Sequence, residues 1–338
     1  MIDSYGGAKL VFAPFFGQHQ HVSIMFNQFL RTLLRGAGQV FFAGNAITGA
    51  FFLLAIAFAA LQNGTPYTLL GAIVGLTVST LMATRLHLDD NDIAQGLHGF
   101  NGILVGITVT TFFIPSPLMW VLLISGAMLC PIAECAIKQS VTRSWGVPGS
   151  TLPFVLISWM LLLAGYNLSG VHLHVLSAAV QHPDESHVTL LMLFQASIRN
   201  IAQVFLLNNT VSGVLILIGL AWRSWAMALT TLGGAILATT VARLFGADTY
   251  SILTGLYGFS PVLSALAIGR VFYLRSPVRL WLAIFATLVT VLVQAALNRL
   301  FTPLGLPTFT AAYLLTLAIF MLARPALQPP STVANTSE

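Results

Sequence analysis

The amino-acid sequence predicts an all-α integral membrane protein made of two inverted repeats, each with five membrane-spanning helices and one short half-spanning helix. Three observations predict it. Of 338 residues, 57% are hydrophobic and only 7% are charged, whereas a soluble domain carries about 25% charged residues. Long segments hold no charged side chain: from Arg35 to Arg85, from Asp92 to Glu134, and from Arg143 to Asp184. Each has room for spans of roughly 20 residues, and without strict apolar/polar alternation they read as helices, not barrel strands. The third observation is self-similarity. Gly96-Leu97-His98-Gly99-Phe100-Asn101-Gly102-Ile103-Leu104-Val105-Gly106 returns as Gly255-Leu256-Tyr257-Gly258-Phe259-Ser260-Pro261-Val262-Leu263-Ser264-Ala265, with five of eleven positions identical at a separation of 159.

Taken in order, residues 1–21 are polar and mixed, with neither secondary structure nor a signal-peptide pattern. Residues 22–35 form an amphipathic stretch. The run that follows is too long for one span, and its glycines at 36, 38 and 44 divide it into a half-helix and a span over 47–62. Spans are then expected at 67–84, 93–113, 117–137 and 149–165, separated by turn residues such as Asn63-Gly64-Thr65-Pro66 and Pro115-Ser116-Pro117. Asn91 or Asp92 is the expected cap of the third span. The first repeat therefore occupies 22–165, and a histidine-bearing linker occupies 166–187. The second repeat, 188–324, has spans at 210–222, 226–244, 251–270, 278–297 and 308–323, and 325–338 is a Pro/Ser/Thr-rich tail expected to be disordered.

Two further echoes fix the duplication. Arg199 to Asn209 mirrors Arg35 to Asn45 with Arg, Gln, Val, Phe and Asn aligned, and Pro148-Gly149-Ser150-Thr151 is matched by Pro307-Thr308-Phe309-Thr310. Five spans per half is an odd number, so the halves lie upside down relative to each other. With the N-terminus inside, 11 Lys and Arg fall on the cytoplasmic side and only Arg199, Arg243 and Arg299 outside. The bias places both termini in the cytoplasm. It also accounts for the net charge of +5 without nucleic acid.

The chemistry implied is polar but uncharged. A half-helix leaves backbone groups unpaired at its end, and in a membrane these are tolerated only where they line a polar cavity. The amides of Gln39 and Gln203 and the hydroxyls of Thr151 and Thr310 are the candidate polar lining. Phe42, Phe100, Leu104, Leu206, Phe259 and Leu263 are the candidate apolar walls. Such a pore suits a small neutral hydrogen-bonding solute. Glu134 is the one carboxylate well inside an apolar run, and Lys138, one turn on, is its expected partner. His98 is assigned to packing or to a vestibule. His172, His174, His182 and His187 read as solvated linker residues. Cys130 and Cys135 imply neither a disulfide framework nor a metal site. No cofactor is expected, and no nucleophile–base set suggests an enzyme.

These motifs together resemble the urea transporter family over roughly residues 30–323. The resemblance rests on Arg35-Gly36-Ala37-Gly38-Gln39-Val40-Phe41-Phe42, on Gly96 to Gly106, on Pro148 to Phe154, and on their echoes. It implies passive, channel-like urea transport across a bacterial cytoplasmic membrane by a homotrimer, with one pore per protomer embedded in lipid. Urea would pass flat between apolar and aromatic slots while donating to a ladder of oxygens. By motif, one slot would involve Val40, Phe42, Phe100 and Leu104, and the other Val204, Leu206, Phe259 and Leu263. Thr151 and Thr310 would hold the narrow middle, and Gln39 and Gln203 would support the half-helix ends. The alternative is a pore for another small neutral solute, such as a short amide, ammonia or water. Leu206 in place of a phenylalanine, and Ser260-Pro261 in place of Asn101-Gly102, mark where the two slots differ.

Overall fold

A computed structural model describes residues 15–174 and 188–327. Among these the chain is helical, with only an isolated bridge between Phe113 and Leu173. The first half runs α1 (Phe15–Gln39), α2 (Ala46–Gln62), α3 (Pro66–Arg85), α4 (Asp90–Ala94), α5 (Phe100–Phe112), α6 (Pro117–Ile137) and α7 (Arg143–Trp145), closing with α8 (Leu152–Asn167). A π-helical turn, Lys138–Thr142, joins α6 to α7. The second half runs α9 (Leu190–Ala202), α10 (Thr210–Arg223), α11 (Trp225–Leu244), α12 (Thr249–Leu253), α13 (Phe259–Leu266), α14 (Pro277–Phe301) and α15 (Ala311–Leu327).

Local chemistry places the helix starts. Asn45 accepts from the N–H groups of Ile47 and Thr48 at the start of α2, and Asn209 accepts from Ser212 at the start of α10. Each such cap is worth about 1 kcal/mol. Ser116 and Ser276 cap α6 and α14, each followed by a proline at the first helical position, where its missing N–H costs nothing.

Among the described residues four helices are long and apolar enough to cross a membrane: 66–85, 117–145, 225–244 and 278–304. Five more apolar helices are shorter, 10–17 residues. Three expectations change here. The third span of each half is broken: a five-residue helix is followed by turns, and only at Phe100 and Phe259 does the long helix begin. Gly96 and Gly255 cause the break, with φ of 77° and 83°, a region glycine enters without a steric cost. The cap at the entry is Asp89, which accepts from the Asp92 N–H; neither Asn91 nor Asp92 fills that role. At the chain ends, α1 begins at Phe15, inside the stretch expected to be irregular, and α15 runs past Pro325 to Leu327. The rest of the expected tail lies outside the described residues.

The two halves match in detail. Left-handed backbone occurs in pairs at the repeat spacing: Phe42 and Leu206, both at φ 58°; His87 and Gly246; Gly146 and Gly305; Ser150 at 44° and Phe309 at 46°. Contacts between the halves are reciprocal. Thr48 donates to the Gly219 carbonyl at 2.9 Å, and Ser212 donates to the Ala55 carbonyl at 2.7 Å. Thr48 corresponds to Ser212 and Ala55 to Gly219, so each half offers the other the same surface, the mark of a two-fold relation.

Candidate functional site

Two helix ends approach each other. α1 stops at Gln39, and α9 ends in a single 3-10 turn, Gln203–Phe205. The chain then turns sharply, bending 76° between residues 190–205 and 210–223. Phe41 and Phe205, which correspond, face each other with ring centroids 6.0 Å apart, and Phe52 packs edge-on against both. Phe41, Phe52 and Phe205 are fully buried.

The glutamines tie these ends to the broken third spans. Gln39 Nε2 donates to the Gln95 carbonyl at 3.0 Å, and Gln203 Nε2 to the Thr254 carbonyl at 2.8 Å. Arg35 and Arg199 reach the preceding carbonyls, of Ala94 and Leu253, each at 2.9 Å. Both amides therefore spend a donor on backbone that the turns at Gly96 and Gly255 leave unpaired.

A cavity of about 500 Å³ opens beside the α1 end, lined by Gln39, Val40, Phe42, Phe100, Thr151 and Glu134, with Arg223 and Phe272 from the second half. It gathers five of the sequence-selected residues. Leu104 lies one turn deeper than Phe100 and is fully buried. At the other end of α5 a cavity of about 620 Å³ is lined by Phe112, Tyr166, Gly305 and residues 168, 169 and 171–174. His172 and His174 border that cavity and are exposed, as solvated linker residues would be; His182 and His187 lie outside the described residues. Gln203, Val204, Phe259 and Leu263 are buried and Leu206 half-buried around the α9 end. None of these five belongs to the lining of the cavity of about 620 Å³.

Between the cavities, Thr151 and Thr310 meet. Their hydroxyls are 2.7 Å apart, and the residues are only 3% and 2% exposed. Each follows a left-handed residue, Ser150 or Phe309. Asn101 and Ser260 hold that geometry by donating to the Ser150 and Phe309 carbonyls, at 3.4 and 3.3 Å. Asn101 also accepts from the Phe154 N–H. The two sides then diverge. Ser150 shares a hydrogen bond with the Tyr313 hydroxyl at 2.8 Å. At the corresponding place Phe309 packs edge-on against Phe154, centroids 5.1 Å apart, and against Phe112 at 6.0 Å. Around Phe42 stand Phe272 and Tyr313, at 5.8 and 6.5 Å. Sequence reading did not select Phe272, Tyr313 or Phe309. The repeat spacing points to the first two, since they correspond to Phe113 and Phe154.

The expected Glu134–Lys138 pair is absent. Glu134 bonds His98 Nδ1 at 2.9 Å, and Lys138 bonds Asp92 at 2.8 Å. The break at Gly96 carries His98 down onto α6 and leaves Asp92 beside the exposed lysine. Proximity along one helix loses to this tertiary arrangement. Cys130 and Cys135 are both free, and among the described residues no group of His, Cys, Asp and Glu is arranged to hold a metal.

Comparison with known proteins identifies a family. The family model described as urea transporter matches residues 30–325. The chain is 30% identical over 304 residues to urea transporter 1 of Ovis aries, covering 87% of this chain and 77% of the relative. It is 31% identical over 301 residues to urea transporter 1 of Rattus norvegicus, with the same coverage. The chain belongs to the urea transporter family.

Proposed function

We propose that the chain carries urea passively across a bacterial cytoplasmic membrane, as a homotrimer in lipid with one pore per protomer and both termini in the cytoplasm. The observation that carries this reading is the Thr151–Thr310 hydroxyl pair, set between two cavities on the line where the repeats meet. Urea crosses from the outer cavity past Phe112 and Phe309, through the two threonines, and past Phe42 and Phe100 into the inner one. Val40 and Leu104 back the inner slot; Val204, Leu206, Phe259 and Leu263 are its second-half equivalents. The physics supports the choice of solute. Two helix C-termini converge on this region, and their partial negative charge favours N–H donors and opposes anions. Urea has four such donors, and leaving them unpaired would cost several kcal/mol. Hydroxyl and carbonyl oxygens replace the lost water, while ring faces meet its flat surfaces. Binding stays weak enough for release, as conduction requires.

The test is stopped-flow flux of urea, formamide and water in proteoliposomes. Urea flux that exceeds that of formamide and water and ignores an uncoupler is the expected result. Equal or greater permeability to formamide, ammonia or water would favour a pore for another small neutral solute. Collapse of urea flux with an uncoupler, in pH-balanced vesicles, would remove the passive mechanism.

A further inference from the structure

Glu134 has no part in the pathway above, yet it lines two adjoining cavities. One is the inner vestibule that ends at Phe42, Phe100 and Thr151. The other is a side pocket of about 370 Å³ bounded by Asp89, Asp92, His98 and Lys138. Leu97, Glu134 and Ser150 belong to both linings, so the pocket and the vestibule share a wall that includes the Glu134 carboxylate. Asp92 is taken by Lys138, and Asp89 caps α4. Among the described residues Glu134 is hydrogen-bonded to the His98 ring alone, on Oε2. A carboxylate has about four lone-pair sites, which leaves Oε1 for a solute. His98 is 6% exposed and its Nε2 has no partner among the described residues. With Glu134 ionised, Nδ1 is the ring nitrogen that donates to it, and the buried ring aims the carboxylate. Together the two cavities are lined by three carboxylates, Asp89, Asp92 and Glu134, against Lys138 and Arg223. An added cation is therefore tolerated there.

We propose that Glu134 is a solute-binding carboxylate at the inner mouth that takes planar N–H donors, with His98 as its positioning residue. The inference rests on the urea reading above and extends it to a second ligand class. Guanidinium ion has the flat shape and N–H edges of urea, but it carries a positive charge. It binds Glu134 more tightly than urea does. It does not pass the apolar slot, where an unpaired charge is too costly, so it blocks the mouth.

The experiment is urea efflux from vesicles of defined orientation, with millimolar guanidinium chloride on one side at a time and sodium chloride as the ionic-strength control. Block is expected from the Glu134 side only. In Glu134→Gln it should weaken about tenfold, the loss of one charge-assisted hydrogen bond. This variant is expected to fold, because Gln294 occupies the matching position on α14, counted from the capping serines Ser116 and Ser276. His98→Phe should also weaken the block, and His98→Asn, whose amide nitrogen sits near the place of Nδ1, should restore it. A purely structural histidine would not give that rescue. Block of equal strength in Glu134→Gln, or from both sides, overturns the proposal. Normal urea flux with no block overturns it while leaving the pore reading intact, whereas absence of urea flux in the unblocked wild type overturns both.

Discussion

At the scale of single residues, the site is built from backbone that most side chains avoid. Phe42, Leu206, Ser150 and Phe309 all have positive φ, at about 1–2 kcal/mol each relative to ordinary backbone. The strain persists because the turn must both end a half-helix and present the next side chain. Threonine follows the strained residue on each side, and its hydroxyl is what the turn delivers. Thr151→Val keeps the shape but leaves the Thr310 hydroxyl buried without its partner, at about 1–3 kcal/mol. The expected outcome is a folded protein with urea flux reduced about tenfold or more, as that energy appears in the barrier. Thr310→Val should behave alike. Wild-type flux in a folded double variant would sink the role given to these oxygens. The threonines were legible because they recur in the repeat. The Glu134–His98 pair was not, because helical spacing pointed to Lys138, and only the break at Gly96 brings His98 within reach.

At the scale of elements, close helix packing separates the halves. α3 and α5 touch through Gly71, Gly75, Gly102 and Gly106, where a Cβ on Gly75 would overlap the Gly102 carbonyl. In the second half Gly234 faces the Ala265 side chain instead, so α11 and α13 meet through side-chain atoms. Gly75→Ala must therefore push α3 off α5, at about 1–3 kcal/mol or more. Gly233 on α11 has nothing within 4 Å of an added Cβ, so Gly233→Ala should stabilise by about 0.5–1 kcal/mol through helix propensity. Thermal unfolding in detergent, followed by tryptophan fluorescence, checks both, and a neutral Gly75→Ala would show that the contact yields. Most helices were legible in the sequence, because apolar runs and Pro or Asn boundaries locate them within a few residues. The broken third spans were not. Read from sequence, each span runs straight through the break, and the glycine conformation that causes it has no hydropathy signal.

At the scale of the whole molecule, the duplication was legible from three echoes, and its geometry emerges in the reciprocal bonds between α2 and α10. The placement of the two cavities adds a constraint that sequence alone could not supply. Gln95, Glu134, Arg223 and Val271 line one cavity, while Phe112, Tyr166 and Gly305 line the other. The end of α6 and the end of α10 thus share one face of the protein. If the halves are inverted across a membrane, that face is the arginine-rich one, holding Lys138, Arg223, Arg270, Arg275 and Arg279, and it is cytoplasmic by the positive-inside rule. Orientation can then be read chemically. In a variant lacking Cys130 and Cys135, a cysteine at the exposed Asn63, between α2 and α3, should react with an impermeant maleimide added to intact cells. One at the exposed His87, beyond the end of α3, should react only after the membrane is opened. Twenty residues of apolar helix separate the two positions, enough for one crossing. Labelling of both from outside would mean that α3 does not span, and the five-span count for each half would fall with it. Reversal of the pattern would instead keep the spans and turn the protein over, placing Glu134 and the smaller side pocket at the outer mouth.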